Sequence, residues 1–509
     1  MLAALLVYES RLARPQFVLH RRQLLLIEKT ALLYCPEKGQ DAFRDRSGHF
    51  GLLLLMANDH FHYARPSSTH QELEANVLTE FVAVNEFSGS RVQNTVTRAR
   101  IMRNEIAPSL KGAPNYVDLN ARFCALTGIS LDLFEQLCMA LFTKYSVMTL
   151  EQLKESGDNL YLQSHWFRNM SVTSEQVARF VNEIGATDAE YQKLFSQKRH
   201  FGHNDFTAIK DRPVYLHPCG GLPLDLLFMA GKFATGPFWR IHNAMPTGSE
   251  REGFRSFWGR IFEEYLNRLM QRACQLPYNR YIPNPTFTSN DSEACDAMIV
   301  REDVAIVFEY KASMFTAVAK YSGSASVLLD EIKHKLIESE EGKSKGVTQI
   351  AATANKLFSD NSVERLNEVD VSKITKLYPV LVTLDDIGGS FLMSKHLGDA
   401  FREACRETAF REDLKIMPFF SLNVEALEMI SGYLGSVPLD LVLEEWLQRD
   451  PGLMSSMFAV DHPLLVGGRN KVLDEEFKRI WDRLMRSLGE PETETEIEHA
   501  QESIARGTE

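Results

Sequence analysis

The most informative pattern of hydrophobic and polar positions lies between residues 294 and 311. Two short apolar runs, Ala297–Val300 and Val304–Phe308, flank the polar triplet Arg301-Glu302-Asp303. Strand-forming residues on both sides of a short polar turn predict a β-hairpin.

Charged side chains stand at the open end of this hairpin. Asp296 precedes the first arm, and Glu309 and Lys311 close the second. Because side chains alternate along a strand, Glu309 and Lys311 are expected on the same face, with Asp296 roughly opposite Glu309. Two carboxylates and an ammonium group then converge beside apolar strands, where unpaired charges are costly to bury. A divalent cation would offset that cost.

The pattern on either side predicts an α/β domain. Apolar positions at helical spacing predict a helix from about Phe254 to Cys274, with Glu263 beside the apolar stripe. The further predicted elements are a strand near Arg280–Phe287, a polar connection through Gly323, Ser324 and Ser326, a helix from about Lys345 to Phe358 that carries Gln349, strands at Tyr378–Leu384 and Pro418–Leu422, and helices at Asn423–Leu434, Leu439–Gln448 and Leu473–Leu488. The order is helix, three strands, helix, strand.

The N-terminal half predicts a mostly helical or mixed region. Gln23–Cys35 and Gly51–Met56 are apolar enough for strands or buried helices, and periodicity does not separate the two. Helices are predicted from Ser130 to about Tyr145, after Thr149, after Thr173 or Ser174, and at Thr187–Gln197. Such a helical module serves either as a packing domain or as a sensing or targeting module that binds nucleic acid or protein.

Prolines and glycines punctuate the apolar runs between Asn204 and Met245, which predicts strands and turns there. The expected organisation is an N-terminal sensing or targeting region (1–205), a strand-and-turn connector (206–250), an α/β domain (251–450), a helical extension (451–488) and an acidic disordered tail (489–509).

Composition narrows the function. The chain of 509 residues is 44% hydrophobic and carries a formal charge of −12, of which residues 490–509 supply −6 through seven Glu and one Arg. The body therefore also carries −6, which argues against a protein that coats nucleic acid non-specifically.

Cysteine usage and hydropathy bear on the compartment. The seven cysteines are scattered with no C-x-x-C pair, which favours reduced thiols and disfavours a structural zinc site. The apolar stretch Met1–Val7 is too short for a signal peptide or a membrane span. A cytoplasmic protein that does not contact a membrane is expected.

A carboxylate two residues before a lysine is a common pattern by itself. It recurs at Glu331/Lys333, Glu341/Lys343, Asp413/Lys415 and Glu476/Lys478. Those pairs lie in charged, helix-like stretches typical of solvated surface. Only Glu309/Lys311 ends an apolar strand that follows a strand with its own carboxylate.

The element order, with a carboxylate on the first helix and D…ExK on the second and third strands, resembles the PD-(D/E)XK nuclease superfamily. The resemblance covers roughly residues 250–425. It is carried by the blocks G-R-I-F-E-E-Y, C-D-A-M-I-V, F-E-Y-K-A, K-G-V-T-Q-I and Y-P-V-L-V-T-L, which resemble nuclease modules of bacterial anti-phage proteins.

The resemblance implies a restriction-endonuclease-like αβββαβ core and specific residue roles. Asp296 and Glu309 would be metal ligands, Glu263 would complete the metal site, and Lys311 would be the catalytic lysine. Gln349 matches a glutamine that some branches carry near the active site. Glu264 fits the pattern less well than Glu263, and Cys295 replaces the proline of the motif.

Oxygen ligands of this kind suit Mg²⁺, with Mn²⁺ as a substitute. The cation would neutralise charge on a scissile phosphate, and Lys311 would orient or deprotonate the attacking water or stabilise the developing charge.

Arginines along the first predicted helix offer positive charge for a phosphate backbone. Arg255, Arg260 and Arg268 are the predicted contacts, and a solvated helix face is the alternative.

The sequence thus predicts a metal-dependent nuclease, with DNA favoured over RNA and a role in anti-phage defence. The main alternative is a nuclease fold kept as a binding or scaffold subunit of a multi-protein complex. A partner protein or phage trigger that engages residues 1–245, and a homo-oligomer, stay open.

Overall fold

The computed structural model describes residues 21–34, 46–58, 77–79, 92–146, 172–197, 204–276, 279–338, 342–389, 391–449 and 470–488, with isolated positions between 148 and 170. The chain divides into two compact units. The first contains the described residues of Met1–Arg65, Phe87–Arg255 and Glu475–Glu509, and the second those of Pro66–Glu86 and Ser256–Asp474. The predicted disordered tail and the stretch Met1–Val7 lie outside the described residues.

The first unit is mostly helical. Its elements are α1 (Arg21–Tyr34), α2 (Arg46–Asn58), α3 (Val92–Arg100), α4 (Leu119–Thr127), α5 (Leu131–Ser146), α6 (Ser174–Ile184), β1 (Gly185–Ala186), α7 (Asp188–Gln197), α8 (Thr207–Asp211), β2 (Val214–His217), β3 (Gly220–Pro223) and α9 (Leu226–Asn243). A π-helical turn, Ile101–Ile106, continues α3. The strands form a small sheet in which β1 pairs parallel with β2, and β2 pairs antiparallel with β3.

Local sequence explains several helix starts. Thr173 and Gln176 form a capping box, in which each side chain accepts from the other's backbone N–H. The Ser130 hydroxyl accepts from Leu133 N–H at the start of α5. Thr149 and Gln152 make the same reciprocal pair of bonds as a capping box, but most of the short helix predicted after Thr149 lies outside the described residues.

Helix α9 corrects the predicted strand-and-turn connector at 206–250. Two strands are present there, but Leu226–Asn243 is one helix that contains Pro237. Asp225 caps it by accepting from Phe228 N–H, and its apolar positions are buried. Packing of this apolar face outweighs the local preference of glycine and proline for turns. The two ambiguous N-terminal segments are also helices, α1 and α2.

The second unit is a sheet with helices on both faces. Its elements are α10 (Gly248–Ala273, whose first turns belong to the first unit), β4 (Arg280–Pro283), β5 (Ala297–Arg301), β6 (Val304–Lys311), α11 (Ala317–Tyr321), α12 (Ala325–Ile332), α13 (Gly346–Phe358), β7 (Lys376–Thr383), α14 (Phe391–Ala404), β8 (Lys415–Ile416), β9 (Phe420–Asn423), α15 (Val424–Ser431) and α16 (Leu439–Arg449). Helix α17 (Lys471–Leu488) begins in this unit and continues in the first.

The sheet is mixed. Strands β4, β5 and β6 form an antiparallel meander, and β7 pairs parallel with β6. The other edge of β7 pairs with β8 near its start and with β9 near its end, both parallel. Parallel pairing of β6 and β7 requires a crossover connection, which here includes α13.

Alternation along β6 divides the core between the two faces of the sheet. Ala305 and Val307 belong to a buried cluster with residues of α13 and α14. On the opposite face, Phe420 packs against Tyr378 and Trp446. Glu309 and Lys311 continue the series of Ala305 and Val307, so they emerge on the α13 face.

The sequence predicts a polar connection without regular structure after the hairpin, and this prediction is wrong. Helices α11 and α12 occupy the connection, and a π-helical segment, Lys333–Ile337, follows α12. Thr316 and Ser324 cap the two helices by accepting from Ala319 and Val327 N–H groups. Helix α14 was also not predicted.

An α/β class with a helical region is therefore correct for this chain. In the described part of the chain, no single helix is both long and apolar enough to cross a membrane, and one pair bent by 73°, α4 with α5, meets those criteria only together.

Candidate active site

The hairpin sets the geometry of the site. Ala297 lies opposite Phe308 and Arg301 opposite Val304 in the antiparallel register. Asp296 therefore stands one position beyond the last pair, next to Glu309, as the sequence predicts. Its carboxylate accepts from the backbone N–H of Tyr310, with 2.5 Å between nitrogen and oxygen.

Strand β6 places Glu309 and Lys311 at the edge of the sheet where the parallel strands β6 and β7 end. Glu309 is 2% exposed. Lys311 donates to it with 2.7 Å between Nζ and Oε2, and the lysine side chain is 20% exposed. The ammonium group is therefore the cation that neutralises the most buried carboxylate of the site.

Three further carboxyl groups, those of Asp296, Glu293 and Glu263, lie near this ion pair. The Asp296 carboxyl group lies close enough to those of Glu309 and Glu293 to raise the pKa of each. Glu263, on α10, lies close enough to Asp296 and Glu293 to be affected by their negative charge, and it accepts a hydrogen bond from the Asn284 side chain. Because these carboxyl groups outnumber the single ammonium group, the site holds more negative charge than Lys311 balances when they are ionised.

The pKa values follow from this crowding. Burial, with the charges of Asp296 and Glu293 added, raises the pKa of Glu263 to about 7. Burial also raises the pKa of Glu309, against the opposing effect of Lys311, and it raises the pKa of Glu293 together with the nearby Asp296.

The pKa of Lys311 moves in the direction that favours its charged form. Burial lowers it, but Glu309 and Asp296 outweigh burial, so the net pKa of Lys311 is raised. The raised pKa favours the protonated form of Lys311, which donates to Glu309.

Whether these residues suit a divalent cation depends on their chemistry and on their spacing. The donors are carboxylate oxygens, the ligands that Mg²⁺ and Mn²⁺ prefer, and their negative charge exceeds the single ammonium. As the side chains stand, however, no three His, Cys, Asp or Glu residues in the described part of the chain are grouped closely enough to hold a metal ion. The donor set fits a cation in type and charge, with Lys311 holding one of the carboxylates.

A second set of polar residues forms hydrogen bonds that connect α10, β4 and β6. Tyr281 on β4 donates to Asn267 of α10 with 2.5 Å between the oxygens, and its hydroxyl lies 3.1 Å from that of Tyr310. Asn267 is 6% exposed. Because the Tyr310 backbone N–H holds Asp296, this buried chain links the helix to a site carboxylate.

Glu293 and Asn284 were missed by the sequence reasoning. Both lie in the loop between β4 and β5, where Ser, Asn, Asp and Glu residues resemble an ordinary solvated loop. Asn284 adopts a positive φ of 47°. The only sequence signal was proximity, since Glu293 is three positions before Asp296.

The Gln349 side chain makes a hydrogen bond at the start of its own helix. Its side-chain oxygen accepts from Gly346 N–H, with 2.7 Å between the atoms, at the start of α13. Gly346 has a φ of +40°, and a Cβ there would lie 2.5 Å from the Leu336 carbonyl oxygen, so this helix start requires glycine. The predicted placement of Gln349 at the active site stays a prediction.

The three predicted phosphate-binding arginines differ in their surroundings. Arg255 and Arg260 are exposed on α10, with Arg255 in the first unit and Arg260 in the second. Arg268 forms an ion pair with Glu264 one helical turn before it, with 2.8 Å between the atoms. Arg260 is therefore the predicted contact best placed in the second unit to meet a ligand.

Neither a protein-family model, nor a curated protein, nor a solved structure matches this chain. Function must be inferred from the geometry of the site itself.

Proposed function

We propose that the second unit is a metal-dependent nuclease that hydrolyses phosphodiester bonds, with DNA as its preferred substrate. The observation that carries the proposal is the convergence of Asp296, Glu309 and Lys311 at one edge of the sheet, with Glu263 within electrostatic reach. Buried carboxylates with raised pKa values and a specific charged partner often mark functional sites.

The arrangement of elements supports a restriction-endonuclease-like core. Helix α10 precedes the meander β4–β5–β6, α13 crosses over, and β7 pairs parallel with β6. The site carboxylates come from the helix and from the second and third strands, in agreement with the resemblance of the sequence.

The residues divide the chemical work. Asp296, Glu309 and Glu263 would hold the cation, and Glu293 adds negative charge beside them. When bound, Mg²⁺ or Mn²⁺ supplies Lewis acidity toward a phosphate oxygen and toward an attacking water. With Glu309 holding the cation, Lys311 would no longer be needed to neutralise that carboxylate, and its ammonium would donate to the phosphate oxygens as negative charge develops on them.

One observation favours the alternative of a binding or scaffold subunit without catalysis. The carboxylates are not grouped for metal binding as they stand, and Lys311 neutralises Glu309 directly. A closed ion pair of this kind is also what a purely structural role would require.

Cleavage of nucleic acid by the full-length protein decides between the two. Supercoiled plasmid, single-stranded DNA and single-stranded RNA are incubated with protein in Mg²⁺ or Mn²⁺ and in EDTA. We expect DNA cleavage that requires the cation and disappears in Asp296→Asn. The matched control is Glu302→Gln in the turn of the same hairpin, where the side chain is 76% exposed, and it should cleave normally.

Absence of cleavage of all three substrates in both metals, by a protein that melts cooperatively, would support the scaffold alternative. Cleavage that persists in Asp296→Asn would show that the activity does not come from this site. The setting in bacterial defence, a protein partner or phage trigger, and a homo-oligomer stay predictions that rest on resemblance.

A further inference from the structure

A cleft in the first unit has no part in the proposed nuclease chemistry. It encloses about 520 Å³ and is lined by polar and charged residues of α3, the π-helical turn, α4, α5 and α17. Volumes of roughly 300–1,000 Å³ are typical of pockets for small-molecule ligands. Its charged lining consists of three arginines, Arg100, Arg103 and Arg483, and three carboxylates, Glu105, Asp132 and Glu476. Glu476 is paired with Arg479 at 3.1 Å.

The floor of the cleft is a rigid network of buried charges. Arg103, with a side chain 1% exposed, donates to Glu135 through Nε and Nη2, at 3.0 and 2.7 Å. Its remaining nitrogen donates to the carbonyl oxygens of Phe233 and Ala234, both at 2.7 Å. Arg103 is thus fully engaged and supplies structure rather than a binding group.

The helix that contributes Arg103 is unusual at this point. Ile101–Ile106 is π-helical, and it carries Arg103, Asn104 and Glu105 into the wall of the cleft. Single π-helical turns within α-helices occur frequently at functional sites, because they widen the helix and redirect its side chains at a cost in stability.

The other two arginines retain donors for a ligand. Arg483 Nη1 donates to Asp132 Oδ1 at 3.1 Å. Arg100 Nη1 lies 3.6 Å from the same oxygen, donates to the buried Glu135 at 3.0 Å, and has its Nε 4.0 Å from Glu476. Within the described ranges, Nη2 of Arg100 and both Nε and Nη2 of Arg483 make no hydrogen bond. Two guanidinium groups that share one carboxylate oxygen lie close enough together to share an anion.

Asp132 is a weak competitor for these groups. Its side chain is 44% exposed and that of Arg483 is 54% exposed, so their ion pair contributes about 0–1 kcal/mol. A phosphate group carries more charge than a carboxylate and accepts two parallel N–H bonds from a guanidinium. It can therefore replace Asp132 on Arg483 and accept from the remaining Nη2 of Arg100.

We propose that this cleft binds a small molecule that carries a phosphate group, held between Arg100 and Arg483 in place of Asp132. The amide groups of Asn104 and Asn120 line the same cleft and would contact the rest of the ligand. The volume accommodates a mononucleotide rather than free phosphate alone.

Isothermal titration calorimetry of the full-length protein in EDTA tests this proposal with ATP, AMP and inorganic phosphate as probes. EDTA removes cation-dependent phosphate binding at the nuclease site, and Glu309→Gln should leave the measured affinity unchanged. We expect saturable binding of at least one nucleotide with a Kd below about 1 mM. Equal affinity for inorganic phosphate would identify free phosphate as the ligand, and tighter nucleotide binding would identify a nucleoside phosphate.

Three variants of exposed side chains give the assignment to the cleft its sharpest test. Arg483→Gln should weaken binding about tenfold, through loss of a charge-assisted hydrogen bond. Asp132→Asn should strengthen it several-fold, because the competing carboxylate is gone. Arg486→Gln, three positions later on the same helix and exposed, should have no effect because Arg486 does not line the cleft and, among the described residues, donates only to the Asp482 carbonyl oxygen.

Failure of all three probes to bind by 1 mM, in a protein that melts cooperatively, would overturn the proposal. So would an affinity that is the same in Asp132→Asn and Arg483→Gln as in the unmodified protein. Neither result bears on DNA cleavage, so the nuclease proposal stands or falls separately.

Discussion

Lys311 and Glu309 form an ion pair with 2.7 Å between the ammonium nitrogen and the carboxylate oxygen, and both lie on one face of the same strand. The proposed function gives these two residues different roles. Glu309 would hold the cation, whereas Lys311 would act on the phosphate. A substitution at each position should therefore affect different measurements.

Replacement of Lys311 by Ala should preserve cation binding and strongly reduce cleavage. Loss of the ammonium removes a competitor for Glu309, so Mn²⁺ affinity measured by electron paramagnetic resonance should be unchanged or higher. The cleavage rate should fall by about 10²–10³-fold, the usual effect of removing one group that stabilises the transition state. Retained cleavage would contradict the catalytic role of Lys311, even if cation binding were normal.

The raised carboxyl pKa values predict how the metal-free protein responds to pH. A carboxyl group whose folded-state pKa exceeds its unfolded value stabilises the fold below the unfolded pKa and loses that contribution as pH rises through the folded pKa. For Glu263 this window runs from about 4.5 to about 7. The Tm of the metal-free protein should therefore fall across this window, and the fall should be smaller in Glu263→Gln.

Addition of Mn²⁺ should have the opposite pH dependence. Its carboxylate ligands must be deprotonated, so the increase in Tm on adding Mn²⁺ should be larger at pH 8 than at pH 5.5. A cation-induced increase that is the same at both values would argue against these groups as ligands.

At the scale of elements, two neighbouring glutamates on α10 have different surroundings. Glu263 feels the charges of Asp296 and Glu293, whereas Glu264 pairs with Arg268 on the same helix. Glu263→Gln should weaken Mn²⁺ binding by about 10–100-fold, the range for groups that support a metal site. Glu264→Gln should leave Mn²⁺ binding unchanged, and an equal loss in both variants would place neither at the site.

The hairpin was predictable because its signals are local. Alternating apolar residues, a polar turn and side chains that alternate between faces place Asp296 beside Glu309 without further information. The α13 helix and strand β7 were recognisable for the same reason, and their observed bounds differ from the predicted ones by at most two residues.

Other elements were not predictable, since their causes are not local. Helix α9 contains Gly231, Gly236 and Pro237, and it forms because tertiary packing buries its apolar face. Helices α11 and α12 are short, so their caps at Thr316 and Ser324 compete with the turn preferences of Gly323 and the serines around it. Glu293 reaches the site through a loop whose path depends on its backbone conformation.

At the scale of the whole molecule, the net charge of −12 means that any attraction to nucleic acid must be local. Arg260 is exposed on α10 in the second unit, three positions before Glu263. A positive side chain close to the proposed cation site would contact the phosphate backbone of a bound strand.

Arg260→Gln should weaken DNA binding several-fold and should reduce the slope of log K against log salt concentration by about 1, as expected for one lost phosphate contact. Fluorescence anisotropy in Ca²⁺ at several salt concentrations measures both. Arg406→Gln is the matched control. Arg406 follows the end of α14 in the chain, and its side chain is 71% exposed. Identical slopes for the unmodified protein and Arg260→Gln would exclude this contact.

The most direct test of the account is the initial rate of plasmid cleavage measured against Mn²⁺ concentration. Unmodified protein, Glu309→Gln and Glu302→Gln are compared at pH 8. We predict a rate that saturates with Mn²⁺ in the unmodified protein and in Glu302→Gln, and no cleavage above background in Glu309→Gln. Cleavage that is independent of Mn²⁺, or equal in Glu309→Gln and Glu302→Gln, would contradict a metal-dependent nuclease at this site.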